Sequence, residues 1–227
     1  MKISEIFHSI QGEGILVGTP SVFVRTSGCN LRCVWCDTPY TSWAPEGEEL
    51  SVEAILDQVR RYPARHAVVT GGEPLIAPEI AELTEGLRRL RLHITVETAG
   101  TVPARLACDL MSISPKLANS TPWEREEGRW ARQHDRLRLQ WDVLRGLMEA
   151  YEYQLKFVVA QPQDLPEIRT VVEQTGADPQ KVVLMPEGTD SALLRERTRW
   201  LAEIVKQEGF RLSPRLHIDL YGNRRGV

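Results

Sequence analysis

The sequence predicts an α/β fold, a partial (βα)6-type barrel built on a mostly parallel sheet. Short runs of apolar and β-branched residues recur along the chain, as expected of buried strands. Stretches with helical periodicity lie between several of these runs, which indicates right-handed βαβ crossovers. About six such units are present, which is too few for a closed eightfold barrel.

The predicted elements alternate along the chain. Strands are expected over residues 21–25, 66–70, 93–97, 109–114, 154–159, 181–185 and 215–220. Helices are expected over residues 52–61, 79–90, 135–150, 165–174 and 191–207, the first of them capped by Ser51. Residues 116–132 interrupt the alternation with mixed charges and no continuous apolar face. This polar insertion is expected to be a solvated loop or a short helix.

Size and composition predict one domain over residues 1–227. The chain has 42% hydrophobic and 26% charged residues, as in ordinary globular proteins. Its net charge of −3 provides no positive field for a nucleic acid, which is not an expected partner. No apolar stretch has the length of a signal sequence or a membrane span, and the clustered cysteines do not resemble a disulfide framework. We therefore expect a cytoplasmic protein that is not bound to a membrane.

Polar and glycine residues follow four of the predicted strands. Cys29 follows the strand over 21–25, and Gly71, Thr98 and Ser114 follow the next three strands. In parallel α/β folds the loops at the carboxyl ends of the strands form the ligand site. We therefore expect these residues to share one edge of the sheet.

Three cysteines stand in the pattern C-x3-C-x2-C at Cys29, Cys33 and Cys36. Three thiolates can hold three irons of a [4Fe-4S] cluster and leave the fourth iron open. A zinc site would need a fourth nitrogen or sulfur ligand, and no histidine has a ligand-like spacing to the triplet. Zinc and unrelated thiols stay open as alternatives. Cys108 directly precedes the predicted strand over residues 109–114, in a core-strand context where a small buried hydrophobic role is expected.

Two further motifs follow strands. The glycines of TGGEP, residues 70–74, let a backbone pass close to a ligand, although an ordinary tight turn explains them equally well. Ser114 and Lys116, in SPK, offer hydrogen bonds to a ribose, a carboxylate or an adenine edge. A surface cation is the alternative for Lys116.

The cysteine spacing, with the aromatic Trp35 before the last cysteine, resembles the signature of the radical S-adenosylmethionine (SAM) superfamily. The resemblance to this superfamily covers nearly the whole chain. The resemblance implies that SAM chelates the open iron and is cleaved by one electron to a 5′-deoxyadenosyl radical. The protein then orients and shields the cofactor, and we assign no side chain as a general acid or base. The cofactor contacts implied by the resemblance are Trp35, Asp37, Gly71, Gly72, Glu73, Ser114 and Lys116.

Five ordered segments, IFHSIQGEG, SVFVRTSGC, CDT, TGGEP and SPK, together resemble the 7-carboxy-7-deazaguanine synthases. The resemblance implies a radical ring contraction of 6-carboxy-5,6,7,8-tetrahydropterin to 7-carboxy-7-deazaguanine with loss of ammonia, in queuosine or deazapurine biosynthesis. Arg25 suits the substrate carboxylate. The substrate-binding residues that the resemblance implies are Ile10, Gln11, Gly12, Glu13, Arg25 and Thr70, with the Val227 carboxylate as a further contributor. Thr38 is expected to give Mg²⁺ an oxygen ligand, with Asp37 holding a water.

Other interpretations of these residues remain. Without the resemblance, QGEG would be a glycine turn, Arg25 an ion-pair partner, and Asp37 and Thr38 helix or turn caps. A glycyl-radical-enzyme activating enzyme is the nearest alternative function, and a noncatalytic zinc-binding or RNA-binding module is a distant one. The resemblance also implies a flavodoxin- or ferredoxin-type electron donor and a homodimer.

Overall fold

Nine strands form one unclosed sheet in the computed structural model, which describes every residue from Met1 to Val227. The strands are β1 (Lys2–Ile10), β2 (Pro20–Thr26), β3 (Glu48–Glu49), β4 (His66–Gly71), β5 (His93–Thr98), β6 (Leu110–Ile113), β7 (Tyr153–Val159), β8 (Val182–Pro186) and β9 (Arg211–Leu212). Their order in the sheet is β3-β1-β2-β4-β5-β6-β7-β8-β9. All neighbours from β2 to β9 are parallel, whereas β1 is antiparallel to β2 and to β3. The predicted fold class is confirmed.

Eight α-helices accompany the sheet. They are α1 (Pro39–Ser42), α2 (Val52–Val59), α3 (Ile80–Arg89), α4 (Ala131–Leu137), α5 (Trp141–Ala150), α6 (Leu165–Thr175), α7 (Ser191–Glu208) and α8 (Leu216–Tyr221). The Ser51 hydroxyl accepts from the Ala54 N–H at 3.2 Å, as a helix N-cap does. No helix combines the length and the apolar character that crossing a bilayer requires.

The main hydrophobic core comprises 33 buried residues of the sheet and of the helices that cover it. Every residue of β8 is buried, and β7 is buried at six of its seven positions. Strands covered on both faces have apolar side chains in succession rather than in alternation. This is why the central parallel strands could be identified from sequence to within about two residues.

Two predicted elements were wrong, and β1, β3, β9 and α1 were not predicted. Residues 215–220 were expected to be a strand, but α8 lies there, and only Ile218 of that helix is buried. The predicted helix over 135–150 is interrupted between α4 and α5. The antiparallel strand β1 was not predicted, and it has only two buried residues among nine. Weak burial explains these errors, because a short segment that contributes few side chains to the core has no clear apolar period.

The polar insertion is partly buried. Residues 116–132 contain a short 3-10 helix at Ala118–Ser120, an irregular turn at Arg125–Gly128 in which Glu126 and Glu127 have positive φ, and the start of α4. Ser120, Thr121 and Ala131 are buried in the folded chain. The segment therefore combines short helical turns with irregular backbone, and several of its side chains pack into the protein.

Candidate active site

Two adjoining pockets open at the carboxyl ends of the parallel strands. The first, of about 160 Å³, contains the three cysteines of the C-x3-C-x2-C pattern, and the second, of about 420 Å³, contains Arg25 and the last five residues of the chain. Residues that line both pockets are Glu13, Asp37, Thr38, Thr70, Gly71, Glu97 and Arg215. The two pockets therefore share one wall.

The cysteines lie on an irregular loop between β2 and α1. Gly28 begins this loop with φ of 113°, a conformation that favours glycine, and its N–H donates to the Thr41 carbonyl at 2.8 Å. Pro39 then starts α1. Cys29, Cys33 and Cys36 all line the first pocket, which is the shared edge that the strand order predicts.

The environment of these thiols suits a positively charged group. Burial raises the pKa of Cys29 to about 12 and raises that of Cys33 further, and Lys116 opposes both shifts only in part. Buried thiolates without a cationic partner are unfavourable, and iron ions provide such a partner. The Leu31 N–H donates to Sγ of Cys29 at 3.4 Å, and the Ser42 hydroxyl lies 3.3 Å from Sγ of Cys36. The three cysteines therefore fit an iron–sulfur cluster.

Cys108 is separate from this pocket. It is half-buried, and its thiol donates to the Ile94 carbonyl at 3.8 Å. Burial raises the pKa of Cys108 to about 12. Its environment is that of a packed, unreactive thiol.

The two glycines at the end of β4 are required by the close approach of β2 and of the cysteine loop. Gly71 has φ of 140°, and a Cβ on it would overlap the backbone of Thr26. A Cβ on Gly72 would overlap the Gly28 carbonyl. Both glycines line the first pocket, where their lack of side chains exposes the backbone.

Glu73 lies behind this turn and does not line the first pocket. Its carboxylate is fully buried and accepts from the Thr98 hydroxyl at 2.8 Å and from the N–H groups of Ala99 and Leu75 at 2.8 and 3.1 Å. Burial raises its pKa, and these three hydrogen bonds oppose the shift. The side chain therefore joins the ends of β4 and β5, which leaves only backbone groups for contact with a ligand.

Ser114 and Lys116 close the first pocket on the β6 side. The Lys116 ammonium donates to the Ser114 carbonyl at 2.6 Å and to its hydroxyl at 2.8 Å. Trp35 lies opposite in the lining and donates through Nε1 to the Asn119 carbonyl at 3.1 Å. Lys116 is therefore a half-buried cation at the pocket, not a free surface cation.

A largely buried ion-pair network occupies the shared wall, with the partly accessible Asp37 at its outer end. Glu13 pairs with Lys156 and, at 3.1 Å, with Arg215, which also pairs with Asp37 and donates to the Gly188 carbonyl at 2.6 Å. Burial would raise the pKa of Glu13, but Lys156 and Arg215 outweigh it and hold that pKa far below its usual range. Asp37 shows the same balance, since burial raises its pKa and Arg215 lowers it below the ordinary value.

Lys156 and Arg215 were not found by the sequence reasoning. Lys156 lies inside β7, and Arg215 directly precedes α8 in the segment predicted as a strand. Desolvation disfavours the charged form of both residues and would lower their pKa values. Their acidic partners outweigh this effect, so the pKa of each residue is raised. Neither belongs to a local motif that could have revealed its role.

Arg25 projects into the second pocket from β2. Its Nε donates to Glu5 at 2.6 Å, and its guanidinium lies 5.6 Å from the Phe7 ring centroid. The Tyr40 hydroxyl donates to the same Glu5 oxygen at 3.0 Å. Glu5 therefore fixes one edge of the guanidinium, and the paired Nη atoms make no hydrogen bond within the chain.

Gln11 and Glu97 form a polar pair in the second pocket. Gln11 donates through Nε2 to Glu97 at 3.1 Å and accepts the Glu13 N–H at 3.1 Å. Ile10 and Gly12 flank Gln11 in the lining, and a Cβ on Gly12 would overlap the His217 ring. Glu97, in β5, is a further acidic residue of this pocket.

The end of the chain covers the second pocket. Residues 223–227, including Val227, are part of its lining. Arg225 lies 3.7 Å from the Tyr40 ring centroid and pairs with Glu46 at 3.1 Å. Two contacts to the segment after the cysteine loop therefore hold this part of the chain over the pocket.

Thr38 lies on the shared wall at the N-terminus of α1. Its side chain makes no capping hydrogen bond, and its Oγ1 lies 3.4 Å from the Thr41 hydroxyl and 3.8 Å from Sγ of Cys36. Helix capping therefore does not explain the Thr38 hydroxyl. The Asp37 carboxylate is likewise engaged by Arg215 rather than by a backbone amide.

Sequence comparisons relate most of the chain to known proteins. The Radical SAM superfamily profile matches residues 23–156, which is more than half of the 227 residues. A 7-carboxy-7-deazaguanine synthase of Rhodopirellula baltica is 47% identical over 100% of this chain and 89% of its own length. A synthase of Halobacterium salinarum with the same name is 45% identical over 98% of this chain and 91% of its own.

Solved structures show the same relation. QueE from Escherichia coli superimposes with a TM-score of 0.69 at 26% identity, covering 95% of this chain and 94% of its own. Streptococcus suis SuiB bound to S-adenosylmethionine reaches a TM-score of 0.54 at 13% identity, over 82% of this chain and 48% of its own. The second likeness concerns the fold alone.

Proposed function

The chain belongs to the radical SAM superfamily and, within it, to the 7-carboxy-7-deazaguanine synthases, and we propose that its two pockets divide the reaction between radical generation and pterin binding. The single observation that supports this division is the shared wall, because the cysteine pocket adjoins the Arg25 pocket through residues common to both. A radical formed in one pocket must reach substrate in the other without crossing solvent.

In the first pocket, Cys29, Cys33 and Cys36 would ligate a [4Fe-4S] cluster. When bound there, the cluster and S-adenosylmethionine would supply the radical chemistry, and the three cysteines would hold the cluster with one iron open to the cofactor. Lys116 is suited to an anionic or oxygen-rich part of the cofactor, and Ser114 orients its ammonium. The remaining proposed cofactor contacts are Trp35, Asp37 and the backbone of Gly71 and Gly72. Glu73, which lies behind them, would support this turn through its buried carboxylate.

In the second pocket, Arg25 would bind the substrate carboxylate. Glu5 holds its Nε, which leaves the paired Nη donors for a bidentate contact. Gln11, Thr70 and Glu97 offer amide, hydroxyl and carboxylate groups to the donor and acceptor edge of a pterin. Ile10, Gly12, Glu13 and Val227 complete the proposed substrate site, although the Glu13 carboxylate is already paired within the protein.

Magnesium is proposed to bind at Thr38, between cluster and substrate. The support is the hydroxyl without a capping role on the shared wall. The structure has no group of three or more His, Cys, Asp or Glu side chains that converge on a single metal ion, so the substrate and water would supply most of the oxygen ligands of Mg²⁺. The cysteines are a separate case, because each would bind a different iron of the cluster. Asp37 would hold one of those waters. Its carboxylate would then be shared between that water and Arg215.

A radical SAM enzyme needs a one-electron reductant, and a flavodoxin- or ferredoxin-type donor is proposed for this chain. A homodimer, a cytoplasmic location and a single domain are proposed as well. Free cysteines and an iron–sulfur cluster suit a reducing compartment, and one sheet contains every strand. A glycyl-radical-enzyme activating enzyme is not favoured, because two relatives that match nearly the whole chain are 7-carboxy-7-deazaguanine synthases.

The test uses the full chain reconstituted without oxygen. With reductant, S-adenosylmethionine and 6-carboxytetrahydropterin it should form 7-carboxy-7-deazaguanine. Cys36→Ser should abolish product and lower the iron content, while the matched control Cys108→Ser, outside the pocket, should retain both. Stoichiometric zinc with no iron, or an absence of product from a fully loaded cluster, would contradict the proposal.

A further inference from the structure

The amides on either side of Cys33 are bound by the polar insertion and the helix that follows it. The Arg32 N–H donates to Nδ1 of His134 at 3.0 Å, and the Val34 N–H donates to the Ser120 carbonyl at 2.8 Å. Because neither acceptor belongs to the cysteine loop, the conformation of this loop depends on a segment about 100 residues further along the chain.

The carbonyls of Cys33 and Val34 are also held by side chains outside the cysteine loop. Trp43 donates through Nε1 to the Cys33 carbonyl at 3.0 Å, and Arg125 donates to the Val34 carbonyl at 3.3 Å. Arg125 also lies over the Trp43 ring, 3.7 Å from its centroid, in a cation–π contact. Backbone groups before, at and after Cys33 are therefore all fixed by partners outside the loop.

The His134 imidazole accepts one hydrogen bond and donates one, and its surroundings determine which nitrogen does which. Its side chain is nearly inaccessible, with 1% exposure, and its Nε2 lies 2.9 Å from the Ser120 hydroxyl. The Ser120 hydroxyl donates to the Leu117 carbonyl at 2.6 Å, so it accepts from Nε2–H. The Nδ1 atom must then be the acceptor, as its contact with the Arg32 N–H requires.

The charge state of His134 agrees with this arrangement. Burial lowers its pKa to about 4, and the nearby cations Arg138 and Lys116 lower it as well, against a smaller effect of Asp135. A neutral imidazole with one donor and one acceptor therefore exists throughout the physiological range. No other side chain donates to or accepts from these two nitrogens.

We propose that residues 117–138, called the capping segment, position the cysteine loop around Cys33. Within this segment, His134 is the positioning residue that holds the Arg32 amide. This rests on the proposed function, since it gives Cys33 its role as a cluster ligand. An amide held by His134 does not donate to a cluster sulfur. Hydrogen bonds to the sulfurs help to set the reduction potential of an iron–sulfur cluster. The capping segment therefore fixes both the place of the ligand and the hydrogen bonds around it.

Three variants of the full-length chain separate this role from simple packing. His134→Asn places an oxygen acceptor close to the position of Nδ1 and keeps the Arg32 contact. His134→Gln reaches instead towards the Ser120 hydroxyl and loses that contact. His134→Ala loses both. Asn and Gln therefore form a matched pair that differs in which hydrogen bond survives.

Hydrogen exchange of the Arg32 amide in the cluster-free chain is the main measurement. We expect exchange about tenfold faster in His134→Ala and His134→Gln than in the wild type, and near-normal exchange in His134→Asn, because one hydrogen bond is lost or kept. The reduced, reconstituted forms should follow the same order, with an altered electron paramagnetic resonance spectrum in Ala and Gln only. Equal Arg32 protection in Asn and Gln would overturn the proposal.

This experiment is independent of turnover. If His134→Ala does not fold, the comparison of Asn with Gln still decides the role of Nδ1. Arg32 protection that follows the expected order in a chain that forms no carboxydeazaguanine would contradict the proposed function alone. Normal product formation together with equal protection in Asn and Gln would contradict the positioning role alone.

Discussion

Thr70 donates its hydroxyl to a carboxylate oxygen of Glu97 at 2.8 Å, across the neighbouring parallel strands β4 and β5. Gln11, just beyond β1, donates to the other oxygen of the same carboxylate at 3.1 Å. Thr70 and Glu97 both line the two pockets. The ends of three strands therefore fix one carboxylate at the boundary between the two pockets.

Glu97→Gln tests whether this carboxylate binds the pterin. Because a hydrogen bond to a charged group is worth more than one to a neutral amide, we expect kcat/KM for the pterin to fall about tenfold to hundredfold. The iron content and the KM for S-adenosylmethionine should stay unchanged. Glu152→Gln, at an exposed pair with Lys181, is the matched control. Unchanged kcat/KM in Glu97→Gln would remove the residue from the substrate site.

Gly12→Ala tests the contact between the QGEG turn and His217. The added Cβ would overlap the imidazole, so His217 or the turn must move and the second pocket must change shape. We expect weaker binding of the pterin with a normal cluster. Gly146→Ala, on α5 with open space around its Cα, is the control and should be neutral or slightly stabilising. Equal KM values for the two variants would contradict this account of Gly12.

Arg215→Met tests the buried network. Removing one partner of a buried ion pair leaves Glu13 less well paired, so we expect the free energy of unfolding at pH 7 to fall by about 3 to 5 kcal/mol. Arg60→Met, at the exposed Asp57 pair, should cost less than about 1 kcal/mol. Denaturant unfolding of both variants measures the difference, and similar losses would show that the network is not stabilising.

The same network predicts a pH dependence. Glu13 has a folded-state pKa lowered by Lys156 and Arg215, so the unfolded chain binds the extra proton first as the pH falls. Its stabilisation is therefore complete above about pH 4, the unfolded value, and is lost as the pH falls through the folded value. Arg215→Met should flatten this acid dependence. Parallel curves for variant and wild type below pH 4 would assign the dependence to other groups.

Thr38→Ala tests the proposed magnesium site. Loss of the hydroxyl should weaken the stimulation of product formation by Mg²⁺ while leaving the iron content intact, because the side chain lies beyond the last cysteine and caps nothing. Thr170→Ala, on the exposed face of α6, is the control for threonine loss. A magnesium response equal to that of the wild type would exclude Thr38 as a ligand.

Much of the fold could be predicted because buried parallel strands are apolar throughout. β4 and β5 match their predicted ranges to within one residue. The prediction failed at β1 and α8, whose side chains are mostly outside the core. Local sequence carries little information about an element whose conformation is decided by one or two tertiary contacts.

The sequence by itself identified the candidate site residues whose motif lies within one short segment. These are the cysteine triplet, the glycines at the end of β4, and Ser114 with Lys116. Their chemistry depends on spacing within a few residues, which is visible without a structure. Only the tertiary structure decided the partners of Glu13, since Lys156 and Arg215 lie 143 and 202 positions away. It also decided that His134 holds the loop of Cys33, because burial and hydrogen-bond geometry arise only when distant segments fold together.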